Sequence, residues 1–188
     1  MRTIRFLFAF IFVMSCFCEL RAQDKNVKHV SINYLYRTPA ARETLGNPPG
    51  SHYLTNQGVG ITCGMELTKV WEMGIYCNFF QSEFESNIDP MIFDTRWVAS
   101  PGIYSRIHLL DVANMNSSHF DLGLDSKIGG TLASGCHLEY AFGLTGQYYP
   151  LQHLGISLSA EFGNFTIARL GHTNTSHFQM QGGLTWRW

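Results

Sequence analysis

The residues best suited to chemistry lie near the end of the chain, in the segment GHTNTSH at 171–177. Ser176 supplies a hydroxyl, and His172 or His177 could act as the base that takes its proton. Glu161 could orient that histidine, which would complete the Ser/His/acid set used in acyl hydrolysis. The same residue types are also typical of a turn that binds water. Both interpretations stay open, and we favour the non-catalytic one.

Cys63 and Cys77 lie at equal distances from residue 70, where a turn between two strands is expected. A turn with an odd number of residues would place them opposite each other, and an oxidising compartment would allow a disulfide. The alternative is two small apolar side chains on one face of a sheet. No Cys-x-x-Cys pair and no His/Cys spacing typical of a metal site occurs, so we expect neither a metal nor another cofactor.

The composition excludes several classes of protein. The 188 residues are 45% hydrophobic and 14% aromatic. Only 14% are charged, well below the roughly 25% of an average soluble domain. A net charge of −1 excludes the basic surface of a nucleic-acid-binding protein, so we expect no nucleic-acid partner. The aromatic content excludes a disordered chain.

The N-terminus has the layout of a secretory signal peptide. Two arginines precede the apolar run FLFAFIFVM at 6–14, and small residues follow up to Ala22. This run is too short for a membrane helix, which needs about 20 residues. We therefore expect cleavage after residue 22, which leaves a signal peptide at 1–22 and one mature domain at 23–188. A lipid-modified Cys16 is the alternative outcome of processing.

Apolar and polar residues alternate with a period of two after residue 23, which is typical of strands with one apolar face. We predict eight strands, at 29–36, 58–67, 71–80, 96–109, 120–128, 137–145, 154–162 and 177–188. Pro101 lacks a backbone donor and predicts a bulge in the fourth strand. The seventh strand is expected to continue to Ile167 after a bulge at Gly163-Asn164.

The residues that alternate with the apolar ones form the second face of each strand, and their types distinguish a membrane barrel from a soluble sandwich. A sandwich exposes that face to water, whereas here it carries glycines and scattered charges, which suits the crowded interior of a narrow barrel. Charges buried there must pair. The predicted lumen network comprises Glu66, Glu72, Arg96, Arg106, Asp121, Asp125, Lys127, Glu139, Glu161 and Arg187. We therefore predict an all-β fold, an eight-stranded antiparallel up-and-down transmembrane β-barrel, with a soluble β-sandwich as the alternative.

Two connections, at 38–56 and 83–93, are long and rich in polar residues, whereas those near 68–70 and 148–153 are short. Long loops on one rim and tight turns on the other are typical of membrane barrels. Because loops often carry binding function, we expect an extracellular ligand to contact their apolar members. These are Tyr53, Phe84, Ile88, Met91, Ile92 and Phe93. The alternative is that these residues merely extend strands beyond the lipid.

The chain ends on the alternating segment HFQMQGGLTWRW, whose apolar face comprises Phe178, Met180, Leu184, Trp186 and Trp188. This strand resembles the signal that the barrel-assembly machinery recognises in bacterial outer-membrane barrels. Residues 119–188, with the turn YYP at 148–150, resemble the porin-like outer-membrane β-barrel domain family, whose architectural relatives are OmpA- and OmpX-type barrels. The resemblance implies a location in the bacterial outer membrane, contact with outer-membrane lipids, and the assembly machinery as a partner. It implies no activity, because the family has no shared catalytic motif.

The segment at 171–177 also resembles part of the lipid A deacylases, barrel enzymes with a Ser/His/acid set at the lipid surface. Those enzymes have Asn directly after the Ser, where this chain has His177. Three functions therefore stay open. The first is a structural or surface-interaction barrel, the second is a lipid A-type hydrolase, and the third is a narrow channel. Because side chains fill an eight-stranded barrel, free passage of solutes is not expected.

Overall fold

The computed structural model describes the chain in segments, which are residues 28–39, 51–53, 56–86, 93–115, 117, 119–132, 136–167 and 173–188. The expected signal peptide at 1–22 lies outside the described residues. In the segments that are described, none of the helices has the length and apolar character needed to cross a membrane.

The described residues form one sheet of eight long strands and a short one. The strands are β1 Lys28–Pro39, β2 Ser51–Tyr53, β3 Asn56–Thr68, β4 Trp71–Ser86, β5 Phe93–His108, β6 Phe120–Leu132, β7 Cys136–Tyr148, β8 Leu154–Ile167 and β9 Thr173–Arg187. A short helix, α1 Leu109–Val112, follows β5. Each of the eight long strands overlaps one of the eight predicted strands, although several strand ends differ.

The sheet closes because its first long strand pairs with its last. Each long strand is antiparallel to the next one along the chain. The seam between β1 and β9 runs from His29 opposite Arg187 to Pro39 opposite His177. Next to it, the backbones of Lys28 and Trp188 exchange two hydrogen bonds of 3.0 Å each. The predicted up-and-down barrel is therefore confirmed, and the sandwich alternative is wrong.

The strands turn their apolar face outward. Along β8, Leu158 and Phe162 are exposed, whereas Ser159 and Glu161 are buried. Leu158 is 60% exposed, and Trp97 on β5 is 73% exposed. Exposing such a continuous apolar surface to water would cost about 25 cal/mol per Å². Lipid is the environment that this surface requires.

The two bulges predicted from the sequence are wrong. The register between β4 and β5 is constant through Pro101. Between β5 and β6, Ser100 and Pro101 have no paired partner, but the register is the same on both sides of them. Pro101 lacks the backbone N–H for a hydrogen bond, whereas a bulge would require an extra residue in one strand. β8 continues through Gly163-Asn164 in constant register with both neighbours. A register shift occurs instead between Glu66 and Thr68 of β3, just before the turn into β4.

This register also rules out the disulfide expected between Cys63 and Cys77. Cys63 lies opposite Ile75, and Cys77 lies opposite Ile61, so the ladder is centred on residue 69 rather than on residue 70. Both side chains are thiols. Cys63 and Cys77 therefore match the alternative interpretation, in which they are two small side chains on the outward face.

We call the barrel end with the β3–β4, β5–β6 and β7–β8 connections the turn side, and the opposite end the loop side. The β5–β6 connection differs from the prediction, because Leu109 begins α1 rather than ending a strand. Asn114 follows with a φ of 56°, a left-handed conformation that Asn adopts more readily than most residues. Leu110, Asp111 and Ser117 of this connection line a cavity on the turn side.

On the loop side, β4 and β5 extend further than predicted. Phe84 lies opposite Asp94, and Phe93 lies opposite Glu85, so both phenylalanines belong to strands. Tyr53 in β2 pairs with Phe84 as well. The backbone positions of these residues therefore match the strand-extension alternative rather than a loop. The remaining apolar loop candidates, Ile88, Met91 and Ile92, lie outside the described residues.

Glycines on the inner face make room for large side chains. A Cβ at Gly102 would lie 2.6 Å from a ring carbon of Tyr76 and 2.5 Å from the carbonyl oxygen of Ile128. At Gly146, on the outward face, the nearest atom would lie 4.0 Å away. The two glycines therefore form a matched pair for testing which face is crowded.

We predict that Gly102→Ala lowers the free energy of unfolding by about 1–3 kcal/mol, because overpacking must displace the Tyr76 ring or the backbone. The control, Gly146→Ala, should change it by less than about 0.5 kcal/mol. Urea unfolding of the refolded protein in detergent, followed by tryptophan fluorescence, measures both values. Equal stability of the two variants would contradict the assignment of the faces.

Candidate functional site

Polar side chains fill the barrel along its axis, because the inner faces of all its strands converge there. We name their clusters after the carboxylate at each centre. The Glu72 cluster lies on the turn side, the Glu161 cluster lies in the middle, and the Glu139 cluster lies towards the loop side. All three carboxylates are buried.

The Glu72 cluster contains a carboxylate held by three side chains from other strands. His29 Nδ1 lies 3.1 Å from Glu72 Oε2. The hydroxyl of Tyr104 donates to Glu72 Oε1 at 2.8 Å, and Arg106 Nη1 lies 3.6 Å from the same oxygen. Strands β1, β4 and β5 are therefore linked across the lumen.

Arg106 extends this cluster to β6 and β7. Its Nε donates to Asp125 Oδ1 at 2.6 Å, and its Nη2 donates to Asp125 Oδ2 at 2.9 Å. The hydroxyl of Thr145 donates to Asp125 Oδ2 at 2.6 Å. A two-point contact between a guanidinium and a carboxylate is both strong and specific in geometry. Arg106 therefore joins two buried carboxylates through one side chain.

The Glu161 cluster lies in the middle of the barrel. Lys127 Nζ donates to Glu161 Oε1 at 2.5 Å. The amide of Gln179 donates to Oε2 at 3.2 Å, and the amide of Gln181 donates to Oε1 at 3.3 Å. This carboxylate therefore has a charged partner and two amide donors, which is what a buried charge requires.

The Glu139 cluster lies towards the loop side. Arg37 Nη2 donates to Glu139 Oε1 at 2.6 Å, and Arg37 Nε donates to Gln179 Oε1 at 2.9 Å. The hydroxyls of Ser100 and Thr131 each donate to Glu139 Oε2 at 2.5 Å. Because Gln179 also donates to Glu161, the middle and loop-side clusters form one network.

The structure brings most of the predicted network residues into these clusters, namely Glu72, Arg106, Asp125, Lys127, Glu139 and Glu161. Asp121 lies outside them, with its Oδ2 2.9 Å from His108 Nδ1. Glu66 is half-buried on the turn side. The side chain of Arg96 lies outside the described residues.

Arg187 and Tyr149 form a contact at the turn side. The guanidinium of Arg187 lies 3.8 Å from the ring centroid of Tyr149. Tyr149 is buried, and its hydroxyl donates to Gln147 Oε1 at 2.9 Å. Burial raises the pKa of Tyr149. Arg187 Nε also donates to the carbonyl oxygen of Gln152, which fastens the last strand to the β7–β8 turn.

Sequence reasoning missed several members of the network, of which Arg37 is the most important. The first strand was predicted to end at residue 36, but β1 continues to Pro39. Continuing the same alternation by one residue would have placed Arg37 on the inner face. The alternation assigns residues such as Tyr104 and His29 to a face of their strand, but it cannot identify their partner Glu72, because Glu72 lies far away in the sequence.

Ser176 and His177 do not form the hydroxyl–base pair that the hydrolase hypothesis requires. Both residues lie in β9 rather than in a loop, and consecutive strand residues point to opposite faces. His177 is 2% exposed inside the barrel, with its Nε2 3.9 Å from Glu139 Oε1. The Ser176 hydroxyl accepts a hydrogen bond from Asn164 Nδ2 at 3.4 Å. His177 therefore cannot be the base for Ser176, and His172 lies outside the described residues.

Glu161 is also unsuited to the role of orienting acid. Its carboxylate lies in the middle of the lumen, where Lys127 and two glutamines occupy its oxygens. Among the described residues, no group of His, Cys, Asp and Glu side chains has the geometry of a metal site.

Two cavities on the axis have walls that consist of described residues. The middle of the barrel contains a cavity of about 20 Å³, which Tyr104 and Arg106 line together with Gln181. A cavity of about 150 Å³ lies on the turn side, between Glu72, His108 and the β5–β6 connection. The three clusters therefore leave no wide path through the described part of the lumen.

The chain matches no protein-family model and no curated protein sequence. Its fold is similar to that of the outer membrane protein OprG from Pseudomonas aeruginosa, with a TM-score of 0.56 and 10% identity over 87% of this chain and 96% of OprG. It is also similar to outer membrane protein W from E. coli, with a TM-score of 0.56 and 13% identity over 86% of this chain and 97% of that protein. The chain thus has the fold of the small outer-membrane β-barrels. The resemblance predicted from the sequence is confirmed at the level of the fold.

The pair Arg106 and Asp125 provides a test of the network. We predict that Arg106→Met lowers the free energy of unfolding by about 3–5 kcal/mol, because it leaves a buried carboxylate without its main partner. Adding Asp125→Leu should recover much of this loss, since the double variant removes both charges. Urea unfolding of the wild type and the three variants gives the coupling energy. Strictly additive losses would contradict the pairing.

Proposed function

We propose that this protein is a sealed outer-membrane barrel with a structural or surface-interaction role, rather than a channel or a hydrolase. The main support for this proposal is the series of charged clusters that cross the lumen at different positions along the barrel axis. His29 with Glu72, Lys127 with Glu161, and Arg37 with Glu139 each join strands that are not neighbours in the wall. The fold shared with two outer membrane proteins and the apolar outer surface support the location.

The clusters oppose conduction because their charges are already neutralised by each other. A permeating ion would have to separate pairs such as Lys127 and Glu161, whose atoms lie 2.5 Å apart, and leave buried charges without partners. The middle cavity of about 20 Å³ has room for a water molecule, which needs about 10–15 Å³ by this measure. It has no room for a hydrated ion that moves along the axis.

The loop side supports a role at the cell surface. β4 and β5 each contain 16 residues, whereas a tilted strand needs only about 9–11 to cross a bilayer. The strand β2 pairs with the last residues of β4, at Phe84–Ser86. These three strands therefore extend beyond the lipid as one sheet. We propose that an extracellular ligand binds at this extension and the adjoining loops.

We propose that residues 1–22 direct secretion across the inner membrane and are then removed. The outward residues of β9 are exposed to lipid, with Leu184 at 60% and Trp186 at 50%. We propose that this strand and the final Trp188 are the part of the chain that the barrel-assembly machinery recognises.

The sealed lumen predicts no single-channel conductance in planar lipid bilayers. The test uses refolded protein whose closed state is verified by faster migration on gels when the sample is not heated. A general porin in the same bilayers is the control for detection. Discrete conductance steps from the refolded barrel would contradict the proposal and favour the narrow channel.

A further inference from the structure

The outward face of the barrel contains a shallow groove across strands β4 to β7. It has a volume of about 230 Å³, and apolar side chains form most of its wall. Ser105 of β5 and Ser126 of β6 lie in this groove, directly opposite each other in the ladder. The residues that continue their row across the neighbouring strands are Met73 and Met65 on one side and Phe142, Phe162 and Phe178 on the other. The two serines therefore make a gap in a row of large apolar side chains.

The hydroxyls of these serines have protons that no described residue accepts. Trp71 Nε1 donates to Ser105 Oγ at 2.8 Å, so the Ser105 hydroxyl still has its own proton to donate. The Ser126 hydroxyl has no hydrogen-bond partner within the described segments. Both side chains are half-buried on a surface that faces hydrocarbon, where water cannot supply the missing partners. The groove therefore presents two adjacent donors to an acceptor that is soluble in lipid.

The two donors lie nearer to the turn-side interface than the apolar floor of the groove does. Trp71 is the first residue of β4, and tryptophan rings are typical of the headgroup level of a bilayer. Ile103 and Ile128 are opposite each other, two residues further from the turn side than the serines. Phe142 and Tyr140 border this part of the groove. The groove thus matches a ligand with an acceptor at one end and an apolar chain at the other.

We propose that this groove binds one ester-linked acyl chain of a glycerophospholipid. A carbonyl oxygen has two lone pairs, so the C=O of the ester accepts from both Ser105 and Ser126. The acyl chain then lies over Ile103 and Ile128 and points towards the middle of the bilayer. Membrane barrels have their short turns on the periplasmic side, which assigns the bound lipid to the periplasmic leaflet.

A lipid suits this groove better than a second copy of the barrel does. Two convex barrel walls touch along a narrow line and would leave a concave groove unfilled, whereas a flexible acyl chain follows its floor. The ester carbonyls of a phospholipid also lie close to the depth of an interfacial tryptophan such as Trp71, which is bonded to one of the two serines. A barrel dimer is the competing outcome in the test.

The test is native mass spectrometry of the refolded barrel in dodecyl maltoside, a detergent without an ester group, with dioleoyl phosphatidylethanolamine as the probe. We expect one retained lipid per barrel. The ether-linked analogue has the same headgroup and chain length but no carbonyl, and its affinity should be at least about tenfold lower. The double variant Ser105→Ala with Ser126→Ala should bind the ester lipid at least about tenfold more weakly and should no longer distinguish the ester from the ether.

Two further variants control for folding and for general effects on the lipid face. Ser176→Ala also removes an outward-facing hydroxyl, but at the loop-side end of β9, so the affinity should be unchanged. Ser126→Phe fills the groove and should abolish retention of the lipid, which keeps the test valid if the double variant does not fold. Faster migration of unheated samples on gels verifies that each variant is a closed barrel.

The proposal is overturned if no lipid is retained, if the wild type binds the ester and the ether lipid equally, or if the double variant binds like the wild type. A dimer of the wild type that Ser126→Phe separates would also overturn it, because a second copy would then occupy the groove. Conductance does not enter this test, so its outcome is independent of the sealed-lumen proposal.

Discussion

A backbone N–H or C=O group inside a bilayer has no water to bond with, so every strand in the membrane needs a neighbour on both sides. In this chain the requirement is met by the seam between β1 and β9, where Ile32 lies opposite Leu184 and the ladder runs the length of β1. Closure fixes which face of each strand points inward. The apolar outer belt and the polar interior both depend on that one pairing.

The narrow interior determines the chemistry of the residues that occupy it. Little volume is available on the axis, so glycines lie beside the large side chains, as Gly102 does beside Tyr76. Carboxylates enter that space only with partners, and Glu139, Glu161 and Asp125 each have a basic one. The ion pairs that offset the cost of burying these charges also fill the lumen. A sealed barrel and a polar core are therefore two consequences of one geometric limit.

The alternation of side chains predicted the architecture and the inner and outer faces, because a period of two survives in any strand with one lipid face. It could not predict register. The turn places Thr68 opposite Trp71, and the shift between Glu66 and Thr68 then moves the ladder further, so Cys63 lies opposite Ile75 rather than Cys77. Both effects depend on the turn rather than on the pattern. The ends of the strands were equally hard to predict, so that the last strand was expected to begin at residue 177 and Ser176 was left outside it, whereas β9 begins at Thr173. The helix α1 is too short to produce a helical period.

Residue-resolved hydrogen–deuterium exchange of the refolded protein in detergent micelles tests the closed barrel most directly. Amides along the β1–β9 seam, such as those of Ile32 and Leu184, should exchange as slowly as those in the middle of β7 and β8, because all are bonded in the same continuous ladder. Rapid exchange confined to the facing edges of β1 and β9 would show an open sheet and would contradict the account.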